Sequence, residues 1–319
     1  IMNAYHDIDG IPCCSSRKLL TDILRGEWGF EGIVVSDYFS VSMLYSDHKT
    51  AASKQQAGIQ ALEAGLDVEL PETDCYGENL VEAVREGLIS ETVIDQAVAR
   101  HLRAKFRKGI FENRYVDTKK VQQVFETPSQ RQLARQAAQK SMVLLKNEKN
   151  LLPLDKDIDS LAVIGPSADS TRNLLGDYAY SAHVESKENT IPVVSIKEGI
   201  KNKVGEDTTL NYARGCDIMD LSRDNFEEAV AAAEKSEIAV VAVGGRSGLS
   251  RLGEEQEESE DTVDFSEVSF STEMVHTSDT TGEHHDRTTL KLPGVQRELL
   301  EAIQETGTPV VAVLVNGRP

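Results

Sequence analysis

The chain has 319 residues, which suits two domains better than one. Its composition, 39% hydrophobic and 27% charged, is typical of globular proteins, and no apolar run approaches the roughly 20 residues of a membrane helix. The net charge of −19 argues against nucleic acid as a partner, because phosphates require clustered Lys and Arg. A neutral substrate remains compatible with this charge.

Both ends of the sequence are interpreted as cut. The chain opens on Ile1 inside an apolar stretch and stops directly after a strand-like run. A leader peptide would then lie outside the sequence, so residence in the cytoplasm and secretion both stay open.

The four cysteines predict free thiols. Cys13 and Cys14 are adjacent, and no C-x-x-C pair includes Cys75 or Cys216. The spacing therefore indicates neither a zinc site nor a thioredoxin-like motif.

The first third of the chain alternates strand-like and helix-like stretches. Residues 1–4 form a short apolar stretch, and strands are predicted at residues 32–36 and 66–70. Helices are predicted at residues 17–28, 51–64 (ended by Gly65), 79–86 and 91–108 (capped by Ser90). This order is typical of a β/α barrel, of which only the last strands and helices are present.

A second α/β series follows a polar segment at residues 112–127, which is interpreted as an irregular linker. Helices are predicted at residues 129–140, 196–203, 225–236 and 295–306, and strands at 161–164, 209–212, 238–243 and 310–315. Strands that alternate with crossover helices predict a mostly parallel sheet with helices on both faces. The fold class is therefore the C-terminal part of a (β/α)8 barrel (1–111) followed by an α/β/α sandwich (128–319), itself incomplete.

Asp37 directly follows the predicted strand GIVVS (32–36). The carboxyl ends of barrel strands form the active-site face, so a carboxylate here is placed for catalysis. The position alone is equally compatible with an aspartate that caps the following turn or helix.

Residues 246–286 form an acidic loop with 12 acidic and two basic residues, which predicts a solvated, mobile loop. Glu283 lies near its end, after the carboxyl end of a predicted strand, where open α/β sheets place ligand sites. The adjacent His284 and His285 lack the spacing of a metal site. The glycine-rich residues 244–253 lack G-x-G-x-x-G, which leaves nucleotide binding a weak alternative.

Several motifs along nearly the whole chain resemble glycoside hydrolase family 3. In the first part these are MNAY (2–5), GIP (10–12), LLTDILRGEWGF (19–30), EGIVVSDY (31–38), AGLDVELP (64–71) and KFRKGIFE (105–112). In the second part they are SMVLLKN (141–147), VIGP (163–166) and residues 282–294. The G-F-x-G-x-x-x-S-D run is highly specific, and the sequence is identified as a member of this family on that basis.

The resemblance implies a retaining two-carboxylate mechanism without a metal or organic cofactor. Asp37 matches the family's nucleophile, and Glu283, which precedes the L-x-L-P-G-x-Q segment, matches the acid/base. Tyr5 matches a position whose hydroxyl binds the nucleophile. Met2 and Tyr38 match positions that line the sugar subsite.

Three departures from the family pattern stand out. Tyr38 replaces the Trp of most relatives, His6 replaces an Asn, and the acidic loop is longer than in relatives. The family's sugar-gripping residues belong to an earlier part of the barrel, which is absent here.

The resulting prediction is an exo-β-glycosidase that acts on β-linked xylosyl or glucosyl residues of an oligosaccharide or β-glycoside, with no membrane partner. The alternatives are a β-N-acetylhexosaminidase of the same family, which commonly lacks a second domain, and a non-catalytic carbohydrate-binding relative. We expect the 319-residue chain alone to be poorly soluble or inactive, because a half barrel exposes strand edges and apolar helix faces.

Overall fold

The structure is a computed structural model that describes residues 1–176, 178–179, 192–248, 279–282 and 287–317. The chain separates into two compact units, Ile1–Met142 and Val143–Pro319, which are called the first and second unit below. The finer division into residues 1–111, 112–127 and 128–319 stays a prediction. No helix among the described residues combines the length and the apolar character needed to cross a bilayer.

The first unit contains a hairpin and a series of helices. Strands β1 (Asp7–Ile8) and β2 (Ile11–Pro12) pair antiparallel around Asp9 and Gly10. The helices are α1 (Lys18–Glu27), α2 (Met43–Ser46), α3 (Lys54–Ala64), α4 (Glu78–Arg85), α5 (Glu91–Arg107), α6 (Val121–Val124) and α7 (Pro128–Ser141), with short 3₁₀ turns at Cys13–Ser15 and Thr118–Lys120.

The predicted helices of the first unit are confirmed within a few residues, and so are two of their boundary residues. The Ser90 hydroxyl accepts a hydrogen bond from the Thr92 amide and caps α5. Gly65 ends α3 with a φ of +111°, a conformation that favours glycine. Residues 112–127 are not wholly irregular, because the Asp117 side chain accepts from the Lys119 amide and starts the short turn that leads into α6.

Three parallel segments cross the core of the first unit. They meet only at single bridges, Met2 with Val35 and Val35 with Val68, rather than as long strands. Val34 and Leu66 are fully buried beside the alanines of α3. The predicted strands therefore lie side by side, but their regular pairing is short.

Part of the first unit carries exposed apolar side chains. Helix α7 buries none of its residues. Tyr115 and Val116 are 90% and 87% exposed, and Met142 is 76% exposed. Exposed apolar side chains mark a contact surface or an aggregation hazard where they form a contiguous patch. The expectation that the isolated chain is poorly soluble or inactive stays a prediction.

The second unit is built on a parallel sheet. The strands β3 (Ser160–Ile164), β4 (Thr209–Ala213), β5 (Ile238–Gly244) and β6 (Val310–Val315) lie in the order β4-β3-β5-β6. The helices are α8 (Ile196–Lys201), α9 (Phe226–Glu234) and α10 (Gln296–Glu305), with 3₁₀ turns at Glu148–Asn150 and Arg172–Leu174.

Apolar side chains cover both faces of this sheet. On one face Ala162, Val241 and Val243 pack against α9 and α10. On the other face Val163 and Val240 pack against α8. The second part is thus the predicted α/β/α sandwich, and the near-continuous Val and Ala content of β5 reflects burial on both sides.

Candidate active site

The candidate site lies where the three parallel segments of the first unit end. Val35 bridges Met2 on one side and Val68 on the other, so the residues that follow each bridge share one edge. These residues include Tyr5 and Asp37, together with Leu70. Carboxyl ends of parallel barrel strands are where β/α barrels place their chemistry.

Asp37 is half-buried and accepts two hydrogen bonds on one carboxylate oxygen. The Tyr5 hydroxyl donates to Asp37 Oδ1 over 3.0 Å, and the Tyr38 amide donates to the same atom over 2.8 Å. Tyr5 Oη also lies 2.9 Å from the Tyr38 carbonyl oxygen. Within the described residues no hydrogen bond reaches Asp37 Oδ2, which leaves this oxygen available to a ligand.

Asp37 caps no helix in this structure. The next helix is α2, which begins at Met43 after Ser42, and Asp37 instead opens a tight turn in which the Ser40 amide donates to its carbonyl over 3.1 Å. The helix-cap alternative is therefore wrong for Asp37, whereas a role in the turn is compatible with the structure.

This turn contains a residue in the left-handed region, Phe39, at a φ of +63°. A non-glycine residue pays about 1–2 kcal/mol for this conformation. The Phe39 amide donates to the Leu70 carbonyl over 3.0 Å, and the Leu70 amide donates to Ser36 Oγ over 2.7 Å. Bonds from the neighbouring segment thus hold the turn that presents Asp37.

Met2 and Tyr38 line the same edge and are exposed. Met2 is 48% exposed and Tyr38 is 41% exposed. The Tyr38 ring contacts Phe39 edge to face, with 6.3 Å between centroids. Two of the predicted substrate-binding positions are therefore exposed, Tyr38 directly after Asp37 and Met2 on the neighbouring segment opposite Val35.

Sequence reasoning missed a buried charge cluster below this edge. Asp67 is almost fully buried and accepts from Arg25 over 2.7 Å and from Arg100 over 2.6 Å. It also accepts from the Val34 amide over 2.9 Å, which ties it to the segment that carries Asp37. Burial lowers the pKa of Arg25, although Asp67 acts in the opposite direction. The available signal was a pair of acids, Asp67 and Glu69, within the otherwise apolar run GLDVEL (65–70).

Glu69 is a second buried acid that sequence reasoning missed. Its carboxylate accepts from the Cys75 amide over 2.9 Å and from the Tyr76 amide over 2.7 Å. Burial raises the pKa of Glu69, and these two amides counteract part of that effect. The bonds fold residues 71–76 back against the end of the third segment.

The four cysteines are free, as the sequence predicts, and the structure buries all four. Burial raises the pKa of Cys14 and of Cys216 to about 12, so neither thiol is activated as a nucleophile. No group of three or more metal-ligating side chains occurs within the described ranges.

In the second unit, a cleft of about 630 Å³ opens at the carboxyl ends of β5 and β6. Its lining includes Asn173, Tyr178, Thr280, Arg287 and Asn316. Open α/β sheets bind ligands at this edge.

Glu283, His284 and His285 lie outside the described residues, as does most of the acidic loop. The two ends of that loop are described: Arg246 pairs with Asp279 over 2.8 Å, and Ser247 bridges Thr281. The Gly244 amide donates to Gln296 and the Gly245 amide donates to the Val315 carbonyl, so these amides are engaged by protein groups. That engagement weighs against a phosphate-binding loop.

Comparison with known proteins identifies the family that the chain resembles. A model described as "Glycosyl hydrolase family 3 N terminal domain" matches residues 1–104, and one described as "Glycosyl hydrolase family 3 C-terminal domain" matches residues 142–319. A beta-xylosidase of Formosa agariphila is 37% identical over 100% of this chain and 40% of its own length. A periplasmic beta-glucosidase of Salmonella typhimurium is 32% identical over 100% of this chain and 40% of its own length.

A solved structure gives the same result. A β-glucosidase from Erythrobacter marinus superposes with a TM-score of 0.81 at 32% identity, over 100% of this chain and 41% of that one. The chain spans about 40% of the length of the curated relatives it matches. With both halves matched by their family models, the chain belongs to glycoside hydrolase family 3.

Proposed function

We propose that the protein to which this chain belongs is a retaining exo-β-glycosidase that releases non-reducing terminal β-D-xylosyl or β-D-glucosyl residues. The similar proteins named above are a beta-xylosidase and β-glucosidases, which supports this substrate class. The observation that carries the proposal is the Asp37 carboxylate, which is half-buried at the ends of the parallel segments and bonded to Tyr5 over 3.0 Å.

In this proposal Asp37 Oδ2 is the attacking atom. Oδ1 accepts from Tyr5 and from the Tyr38 amide, and these donors fix the orientation of the carboxylate. Oδ2 forms a bond to the anomeric carbon, and the bond from that carbon to the leaving oxygen breaks. The product of this step is a covalent glycosyl-enzyme.

Glu283 is proposed as the acid/base. It would protonate the leaving oxygen in the first step. In the second step it would take a proton from a water whose oxygen bonds to the anomeric carbon, while the bond from that carbon to Asp37 Oδ2 breaks. Retaining enzymes separate the two carboxyl groups by roughly 5–5.5 Å. Both chemical roles belong to carboxyl groups, so the mechanism requires no metal or organic cofactor.

Met2 and Tyr38 are proposed to contact the sugar. Both are exposed, Tyr38 next to Asp37 in the chain and Met2 on the neighbouring segment, and a phenol ring offers a flat apolar face together with a hydroxyl. The second unit disfavours the β-N-acetylhexosaminidase alternative, because those enzymes commonly lack it. The non-catalytic alternative becomes the favoured one if the following experiment gives no label.

The test is covalent trapping with 2-deoxy-2-fluoro xylosyl and glucosyl donors, followed by peptide mass mapping of the parent protein and of this chain side by side. We expect the label on the peptide that contains Asp37, with the faster donor indicating the sugar. Asp37→Asn should abolish labelling. Tyr5→Phe should slow it about 10–100-fold, because a hydrogen bond to a charged group contributes about 1.5–3 kcal/mol.

Asp47→Asn is the matched control, because Asp47 is an exposed acid ten residues further along the chain. It should be labelled like the wild type. A label on any other carboxylate would overturn the assignment of Asp37, and no label on the parent with either donor would contradict the proposed activity.

A further inference from the structure

Asn3 is a buried polar residue on the segment next to the one that carries Asp37, and it is 7% exposed. Its Nδ2 donates to the Ala4 carbonyl over 2.8 Å and to Ser40 Oγ over 3.2 Å. Its Oδ1 accepts from the backbone amide of Asp37 over 3.3 Å. One carboxamide thus connects the end of the first segment with both ends of the turn 37–40.

The position of Asn3 compensates for a gap in the backbone pairing. Regular pairing between the first two segments stops after the Asn3 amide donates to the Val35 carbonyl over 3.4 Å. The Asp37 amide comes two residues later and has no backbone acceptor in the described part of the chain. The side chain of Asn3 supplies the acceptor that a longer strand would have supplied.

The opposite side of the turn is held by other groups. The Ser36 amide donates to the Val68 carbonyl over 2.8 Å, and the Phe39 amide donates to the Leu70 carbonyl over 3.0 Å. Ser40 is 2% exposed, and its carbonyl also accepts a hydrogen bond from Cys14 Sγ over 3.1 Å. On the side of the first segment, Asn3 is the contact that reaches the Asp37 amide, whereas the Tyr5 hydroxyl lies against the Asp37 carboxylate and the Tyr38 carbonyl.

We propose that Asn3 is a positioning residue for the Asp37 carboxylate: it sets the backbone of residue 37, while Tyr5 sets the carboxylate itself. This inference rests on the proposed function, since it assigns Asn3 a role in the reaction of Asp37. Small displacements of a reacting group lower rates steeply, and about 100-fold for 1 Å is typical.

The experiment compares Asn3→Ala and Asn3→Asp with the wild type. Asn3→Ala removes the acceptor, so the Asp37 amide should lose its protection from hydrogen exchange while the amides of Ser36 and Phe39 keep theirs. Asn3→Asp keeps an acceptor, so protection at Asp37 should be retained. A purely structural role for Asn3 would instead lower the protection of Ser36, Asp37 and Phe39 together, and that result overturns the inference.

Covalent trapping of the parent protein supplies the second measurement. Asn3→Ala should slow labelling of Asp37 about 10–100-fold. Asn3→Asp places a second carboxylate beside Asp37, so the acid limb of the labelling rate should move to higher pH, because neighbouring like charges disfavour ionisation. An unchanged labelling rate in Asn3→Ala overturns the inference.

Asn211→Ala and Asn211→Asp are the matched controls. Asn211 donates to the Ser236 hydroxyl over 2.8 Å and to the Lys235 carbonyl over 3.5 Å, which is the same pair of acceptor types as at Asn3, but in the second unit. Both controls should label at the wild-type rate. If the wild type itself is never labelled, the proposed function fails, and the exchange measurement alone decides whether Asn3 holds residue 37.

Discussion

The two units stabilise their parallel strands in different ways. In the second unit β5 pairs with β6 from Ala239 to Gly244, and its central residues are fully buried among apolar neighbours. In the first unit the segments meet at single bridges, and their few backbone hydrogen bonds are supplemented by side chains such as Asn3. The comparison indicates that the backbone near Asp37, the proposed reacting group, is irregular. Polar side chains there form some of the hydrogen bonds that a longer strand would form through its backbone.

The side chains that supply hydrogen bonds to strand backbone differ in charge between the two units. In the first unit Asp67 forms ion pairs with Arg25 and Arg100 and accepts from the Val34 amide. In the second unit the neutral Gln296 is fully buried, donates to the carbonyls of Ile218 and Gly244, and accepts from the Gly244 amide. Loss of an ionic partner leaves uncompensated charge, whereas loss of an amide leaves only unpaired polar groups.

The largest predicted effect is at Asp67. Asp67→Asn removes the negative charge and leaves two arginines without it, of which Arg25 is only 11% exposed. We expect the free energy of unfolding of the first unit to fall by about 3–5 kcal/mol. Chemical denaturation measures this loss in unfolding free energy. Hydrogen exchange at the Val34 amide, which donates to Asp67, reports the same loss locally.

Asp74→Asn is the control for that change. Asp74 pairs with Lys54 over 2.6 Å, but both side chains are substantially exposed, at 32% and 50%. The expected cost is below about 1 kcal/mol. Equal losses of unfolding free energy in the Asp67 and Asp74 variants would contradict the view that the buried cluster around Asp67 stabilises the parallel segments.

The next largest effect is predicted at Gln296 in the second unit. Gln296→Leu leaves the Gly244 amide and two buried carbonyls without their side-chain partner. We expect a loss of about 3 kcal/mol in the unfolding free energy of the second unit, since each unsatisfied buried group costs about 1–3 kcal/mol. Gln304→Leu, on the exposed face of α10, should change it by less than about 0.5 kcal/mol. A similar loss in both variants would refute this account.

The sequence predicts the second unit better than it predicts the first. Continuous apolar runs such as IAVVAV (238–243) indicate a strand buried on both faces, and β5 extends from Ile238 to Gly244. In the first unit the same reasoning finds the segments but overstates their regular pairing. Periodicity reports burial, and burial continues at Ser36 although the backbone hydrogen bonds to the first segment stop at Val35.

The candidate site is predictable only in part. The motif resemblance brings Tyr5 and Asp37 together, and the hydrogen bond between them is present. Asn3 and Asp67 are missed, because a single polar residue within an apolar run does not indicate which backbone groups it binds. Those contacts join residues 34 positions apart, as in the Asp37 amide and Asn3, so they depend on the folded topology rather than on local sequence.

The smallest predicted effect compares the pH dependence of one carboxyl group in each unit. Burial raises the pKa of Glu69 above its ordinary value of 4.5, so its contribution to stability is complete at low pH and is lost as pH rises through the folded pKa. The hydrogen bond from Lys197 lowers the pKa of Asp169 below 3.8, so its contribution is present at neutral pH and is lost as pH falls. Relative to Glu69→Gln, the wild type should lose stability as the pH rises above about 4. Relative to Asp169→Asn, the wild type should lose stability as the pH falls below about 4. Denaturant titrations across this range measure both differences. If both stability differences changed with pH in the same direction, Glu69 and Asp169 would not differ in how the fold shifts their pKa values.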